Sequence, residues 1–535
     1  MISSRRLFGM SKSLLVLISL VFAVSVSAQR YLPLEMYYTN SAYNQLKYHS
    51  DSTYFNSHIS LKPILDSRVN EAEVYNDEGT YYYWITQKLF KEHFLVFEGE
   101  DFWCAVDPIL DLEAGTNFSA DSLSLLYWNT RGARVQAKFF NTVAFNTVVF
   151  ENQIFVPEYE GNYYDAHGEF FSNPAATVYT QNNAVIPGFS RTKPFKTTGY
   201  DFNMAEGNLS WVPSQHLNIQ LGNGKHFVGD GYRSLLLSDF APNYPFVKFQ
   251  TDLWKGRIQY TTINAIHQNL YRIPLHTTPE ATYERKLGAY HYLDFAVNRS
   301  LNIGVFEGSL FQRVDSSGTQ PLDPMFFNPV IALNSAVKTQ NFEFNSILGL
   351  NARLNLFGTF FYTQLVFDQG KVGGYQIGVR GADAILLGLS TQFEYNKVNS
   401  NTYLSEYNRM NYSHFNLPLA HPLTAGFQEL VFRMNYSNGR WFINNHMVFN
   451  QRIAVDSINT GNDILMNQTS NNGSFATKNV FFNKLEVGYR FNKKYNLQAF
   501  AGMIHRREYG FNVQPETNYL YFGIRTRLQN KYRDF

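Results

Sequence analysis

Cysteine is nearly missing from this 535-residue chain: Cys104 stands alone, so no intramolecular disulfide can staple the fold. Free cysteine is among the most buried residue types, which places Cys104 in the expected interior. Charge is scarce too. Asp, Glu, Lys and Arg make up 16% of the residues, against roughly a quarter in soluble domains, and 45 basic residues nearly cancel 43 acidic ones. The clustered basic footprint of a nucleic-acid partner is absent. Beyond residue 28 no apolar run approaches the roughly 20 residues of a membrane helix, which excludes a helical membrane protein. No fixed-period repeat marks a solenoid or propeller.

Aromatic residues, by contrast, reach 17%, with 47 Phe and 36 Tyr. Few charges and many rings mean that something other than water faces much of the surface. Strands alternating lipid-facing apolar residues with lumen-facing polar ones have this balance. The N-terminus carries Arg5, Arg6 and Lys12, an apolar run from Leu14 to Val26, and Val26-Ser27-Ala28 before Gln29. That pattern predicts a secretory signal peptide over residues 1–28. No cysteine follows the cut, so no lipid anchor is expected, and the mature chain is close to neutral.

Residues 29–119 are irregular, with an acidic run from Glu71 to Glu78 and a short helix expected between Tyr82 and His93, where Ile85 and Leu89 stand at i and i+4. They read as an N-terminal periplasmic or plugging segment with the first strands. Residues 120–535 read as strands separated by turns. Lys255-Gly256 is expected to join two strands as a two-residue hairpin loop. Asn438-Gly439 turns Leu430-to-Tyr436 into Trp441-to-Phe449, and Asn492-Lys493-Lys494 leads to Leu497. Arg131-Gly132 reads as a further hairpin turn, Gly132 taking positive φ. In the last strand, Tyr519–Leu528, the residues Leu520, Phe522 and Ile524 face lipid while Tyr519, Tyr521 and Arg525 face a wet lumen. Longer polar connections at 399–422 and 456–478 contrast with the short turns, as extracellular loops contrast with periplasmic ones. The fold class is all-β: a transmembrane antiparallel β-barrel of about 18 strands in the outer membrane, with short periplasmic helical elements. Alternation alone leaves a soluble β-sandwich open.

The least ordinary stretch is Gly222 to Asp239, G-N-G-K-H-F-V-G-D-G-Y-R-S-L-L-L-S-D. It follows a strand in which Leu217, Ile219 and Leu221 share a face. Gly222, Gly224, Gly229 and Gly231 make it a structured loop rather than a helix. A phosphate loop is excluded, because Lys225 is followed by His226 rather than Ser or Thr, and Gly222-x-Gly224 lacks a third glycine three residues on. His226 and Asp230 with Ser234 or Ser238 have the residue types of a hydrolase triad, but no G-x-S-x-G elbow surrounds either serine. His226, Asp230 and Asp239 have the types of a metal site without any short-spaced histidine pair. No catalytic residue, metal ligand or cofactor is assigned on this basis. The candidate structural or ligand-binding motif is Lys225, His226, Asp230, Tyr232, Arg233 and Asp239. Charges persist away from water only when paired, so the segment is expected to fold into the barrel as an ion-paired plug or wall, with Arg233 on Asp230, Asp239 or another lumenal carboxylate.

This stretch, with Ala241-Pro-Asn-Tyr-Pro245 after it, closely resembles the signature of the Wzi-like capsule-assembly family. It is most similar to the RemB-like gliding-motility branch. S-L-K-P (Ser60 to Pro63), N-T-R-G (Asn129 to Gly132), F-E-N-Q (Phe150 to Gln153), V-P-E-Y (Val156 to Tyr159), V-I-P-G (Val185 to Gly188) and L-P-L-A-H-P-L (Leu417 to Leu423) support it in that order. The resemblance implies a non-enzymatic outer-membrane barrel that binds or helps organise capsular polysaccharide or exopolysaccharide at the cell surface. For the RemB-like branch it implies a component of gliding machinery. Implied partners are outer-membrane lipid, surface polysaccharide, and gliding or secretion proteins. The rival readings are a diffusion channel and a barrel hydrolase.

Overall fold

The computed structural model describes residues 28–535 except 49–53, 71–73, 76–78, 121–123, 173–178, 273–282, 316, 339–343, 384–385, 454–458, 460, 468–475 and 527–528. The expected signal segment up to Ser27, most of the acidic run and Leu528 lie outside the described residues.

Alternating residues from Phe102 onward build a closed antiparallel barrel of 18 long strands. The first six are β1 (Phe102–Asn117), β2 (Leu126–Phe139), β3 (Val143–Phe155), β4 (Gly199–Ser214), β5 (Leu217–Gly224) and β6 (Tyr244–Leu253). Next come β7 (Ile258–Arg272), β8 (Tyr283–Ala296), β9 (Leu301–Asp315), β10 (Phe344–Leu356), β11 (Thr359–Asp368) and β12 (Lys371–Ala382). The last are β13 (Leu389–Val398), β14 (Phe427–Asn438), β15 (Trp441–Ile453), β16 (Thr477–Asn492), β17 (Leu497–Gly510) and β18 (Thr517–Thr526). Each pairs with its neighbour in sequence, and β18 closes on β1 from Tyr519↔Asn117 to Arg525↔Asp111. Closure leaves no open edge.

Connections sort by rim. One rim has the turns 140–142, 215–216, 254–257, 297–300, 357–358, 383–388, 439–440 and 493–496. The other has 118–125, 156–198, 225–243, 273–282, 316–343, 369–370, 399–426, 454–476 and 511–516, most of them far longer. Facing follows parity. In β18, Leu520, Phe522 and Ile524 are 47%, 65% and 47% exposed, while Tyr519 and Tyr521 are 1% exposed. The apolar face thus points out of the barrel and the polar face in.

Among the described residues, four α-helices with these bounds accompany the barrel: α1 (Met36–Tyr48), α2 (Trp84–Phe90), α3 (Glu158–Ala166) and α4 (Leu333–Lys338). Among the described residues no helix is long and apolar enough to cross a membrane. The helix expected between Tyr82 and His93 is present as α2.

Three local expectations need correction. Gly132 is not in a turn: it sits in mid-β2, paired with Ile109 and Phe150, where an added Cβ would lie 2.2 Å from the Val149 carbonyl oxygen. Close approach rather than positive φ explains that glycine. Lys255-Gly256 belongs to a four-residue turn between Leu253 and Ile258, with Trp254, Lys255 and Gly256 all at positive φ. Cys104 is only half-buried, because its parity in β1 turns it outward, opposite Phe97.

Candidate functional site

Every residue from Gly224 to Pro242 is buried. A connection on the long-loop rim reaches that state only by folding back into the lumen under other chain. Phe227-Val228 pairs with Leu61-Lys62, so the N-terminal segment and the loop share a short ribbon. Gly229, at φ +136°, then bends the chain, and Lys62 Nζ donates to its carbonyl. Ser234 closes the next turn: its hydroxyl donates to the Val228 carbonyl at 2.5 Å and accepts from the amides of Leu236 at 3.1 Å and Leu237 at 3.2 Å.

Two ionic centres follow. Asp230 accepts from Arg353 Nη1 at 2.8 Å, Tyr43 Oη at 2.6 Å, Asn351 Nδ2 at 3.0 Å and the Ser60 hydroxyl at 2.9 Å. Burial pushes its carboxyl up, but the Arg353 guanidinium, the Lys62 ammonium and the hydrogen bonds from Tyr43 and Asn351 together hold it down at about 2. Arg233 forks onto Glu429, with Nε and Nη2 at 3.3 and 3.2 Å, and also reaches Asp534 Oδ2 at 3.0 Å. Asp534 further accepts from Tyr232 Oη at 2.9 Å, and its carboxyl lies well below the usual range beside Arg233 despite its burial. The expected plug contact of Arg233 is therefore made to Glu429 and Asp534. Asp230 is taken by Arg353, and Asp239 by Asn530 at 3.0 Å and by Tyr532.

The remaining motif residues have separate partners. Lys225 Nζ donates to the Gly188 carbonyl at 2.6 Å, and burial pushes its ammonium pKa down. His226 is 3.2 Å from Tyr244 Oη and packs edge-on to Phe246. Ser238 donates to the Ala420 carbonyl at 2.5 Å. The residue types of a triad are thus present but not brought together: His226 meets tyrosine, Asp230 meets arginine, and each serine is spent on a backbone carbonyl. Among the described residues no group of three or more His, Cys, Asp or Glu is placed to hold a metal ion. Gly231 serves close approach, since a Cβ there would stand 2.4 Å from Glu394 Oε2. Gly222 does so against the Gly207 carbonyl, and Gly224 ends β5.

The loop crosses the lumen. It leaves from β5 yet touches Gln364 on β11, Gln376 on β12, Glu394 on β13 and Glu429 on β14, and β14 lies across the ring from β5. Residues 417–423 are buried against it, with the Leu419 carbonyl accepting from the Ser238 amide at 2.7 Å. The 529–535 tail enters as well, Arg533 pairing with Glu113 at 2.8 Å and Phe535 packing 4.0 Å from Tyr163. Ser60–Pro63, Val185–Gly188, Gly222–Asp239 and Leu417–Leu423, far apart in sequence, therefore meet in one plug.

A solved outer-membrane protein, Wzi of Escherichia coli, described as involved in group 1 capsule assembly and as a carbohydrate-binding β-barrel, superposes with a TM-score of 0.52 at 11% identity. The match covers 94% of this chain and all of that one. The chain has an outer-membrane barrel fold. The Pseudomonas aeruginosa outer-membrane protein opdK matches 79% of the chain at 9% identity with a TM-score of 0.41. No family model matches, and no curated protein matches.

Sequence reading missed the partners more than the motif. Glu394 and Glu429 stand at lumen-facing positions of alternating strands, a visible signal for inward carboxylates. Arg353 has the same parity in β10. Asp534, in the aperiodic run K-Y-R-D-F, carries no signal at all.

Proposed function

We propose that the chain is an exported, non-enzymatic outer-membrane barrel that holds or helps organise polysaccharide at the cell surface, with a gliding role as in the RemB-like branch. The filled lumen carries this reading. A diffusion channel needs a water path, whereas here the cross-section at the motif is occupied by paired charges and packed rings. The rim with long connections faces outward, since outer-membrane barrels keep short turns on the periplasmic side. On that rim Asp165, Asn183, Thr192, Thr197, Thr198 and Tyr200 line a polar groove of about 350 Å³. Its hydroxyl, amide and carboxylate groups suit sugar hydroxyls, which both donate and accept.

The test pairs two measurements on purified protein. Surface polysaccharide from the producing cells should be retained by the wild type and lost on Asp165→Ala with Thr198→Ala, both exposed in the groove, at unchanged thermal stability. Planar bilayers should show no large steady conductance. Open-channel currents without polysaccharide retention would replace this reading with a diffusion channel.

A further inference from the structure

Three of the eight turns on the short-turn rim carry an exposed aromatic residue. Phe140, Trp254 and Phe357 are 70%, 60% and 104% exposed, and all three adopt positive φ near 50°. Bulky residues rarely take that conformation, so their exposure at these tips is maintained against a backbone cost.

On the same rim, α2 is held by its inner side. Its Lys88 carbonyl accepts from Asn492 Nδ2 at 2.9 Å and Tyr495 Oη at 2.8 Å. Phe90 packs 6.1 Å from Phe491, an outward residue of β16, and Arg440 lies over the Phe90 ring at 5.2 Å. The opposite side presents Tyr82, Tyr83, Trp84, Ile85 and Leu89, all exposed, Tyr82 by 85%. The hairpin that follows continues this surface. Residues 95–98 pair with the start of β1, Leu95 opposite Val106 and Phe97 opposite Cys104, so Leu95 and Phe97 share the outward face and are exposed. The apolar surface is thus continuous with the outward face of the barrel wall. Lys91, also exposed, and Lys493 of the adjoining turn bring positive charge beside it.

We propose that this rim is a membrane-interface anchor: Tyr82, Tyr83 and α2, with the outward face of the 95–104 hairpin, lie in the headgroup layer of the phospholipid leaflet. Trp and Tyr prefer that depth, where a ring meets hydrocarbon and its polar edge meets water, and flanking lysines meet lipid phosphate. The helix is too short to span and has the wrong face for the lumen, since its apolar side points away from the plug. The inference rests on the membrane embedding proposed above and not on the polysaccharide ligand.

The experiment places the full-length protein in nanodiscs of phosphatidylethanolamine and phosphatidylglycerol carrying acyl chains brominated near the carbonyl or near the methyl end. Subtracting the emission of Trp84→Phe isolates Trp84. Its fluorescence should be quenched by the shallow bromines, less by the deep ones, and shielded from acrylamide in the aqueous phase. Quenching by acrylamide and by neither lipid, in a barrel that is heat-modifiable and intact, overturns the anchor while leaving polysaccharide retention untouched. A self-associated or partner-bound species that disappears in Tyr82→Ser/Trp84→Ser/Ile85→Ser, without lipid quenching in the wild type, assigns the surface to protein and equally overturns it.

Discussion

Replacing Arg233 by Ala removes the cation shared by Glu429 and Asp534, both buried. Breaking a buried pair from one side destabilises by about 3–5 kcal/mol, because a charge is left without its partner. Here both carboxylates keep other donors. Glu429 retains His421 Nε2 at 2.9 Å and Asn396 Nδ2 at 3.1 Å, and Asp534 retains Tyr232 at 2.9 Å and His446 at 2.7 Å. The expected loss is therefore at the low end, about 3 kcal/mol. Urea titration of the micelle-bound barrel, followed by tryptophan emission, measures it. Arg233→Ala combined with Glu429→Ala should lose less than the two single losses added. The sign of the pH effect follows from His421. Burial lowers its pKa against the pull of Glu429, and Arg233 adds to the lowering. Protonating His421 therefore costs the wild type stability as the pH falls through the ordinary histidine value. Without Arg233 that pKa rises and part of the cost goes, so the deficit of the variant should hold steady above about pH 7 and narrow as the pH falls below about 6.5. A loss under about 1 kcal/mol, or strict additivity in the double variant, would show that the fork on Glu429 does not hold the plug.

Three further outcomes are expected. Phe522→Arg places a guanidinium on the outward face of β18 and should lose about 2–4 kcal/mol if near the bilayer midplane, with Phe522→Leu close to the wild type; equal folding yields would mean that this face is not in lipid. Tyr521→Arg is no neutral control, since Tyr521 is buried and donates to Glu486 at 3.2 Å. Gly229→Ala, at φ +136° with a Cβ 2.2 Å from Gln364 Nε2, should lose about 1–3 kcal/mol, whereas Gly224→Ala, with its nearest atom at 3.4 Å, should lose about 1 kcal/mol or less; the same denaturation midpoints check both. Asp230, held down at about 2, contributes stability above the unfolded carboxylate value that is lost as the pH falls through about 2. Asp230→Asn should thus be weaker by about 2–3 kcal/mol at pH 7, and acid titration should show the two proteins converging below about pH 4.

The wall of the barrel was legible because parity is a local property. Leu520, Phe522 and Ile524 announce an outward face from five consecutive residues, and Gly439 marks a turn without help from the rest of the chain. Where local cues misled, a distant neighbour decided: Gly132 reads as a turn until Val149 and Phe150 lie beside it. The plug was legible only as a demand. Lys225, Asp230, Arg233 and Asp239 had to be paired, but pairing across the lumen depends on which strands stand opposite, and no period in the loops records that. Arg233 and Asp534, 301 residues apart, show the scale of what is hidden.

The plug is assembled from pieces that enter by both rims: residues 28–48, 54–70 and 529–535 from the short-turn side, and residues 185–188, 225–243 and 399–426 from the other. Wall and contents are thus tied together at the seam: Ser60 meets Asp230, and Arg533 meets Glu113 of β1, the strand on which β18 closes at Tyr519↔Asn117. Contacts so distant in sequence are slow to form, because the entropy of closing long loops is lost before they are rewarded. Filling the lumen is therefore expected to be slower than forming the local hairpins of the wall, and the charges of Asp230 and Glu113 wait for partners until it is done.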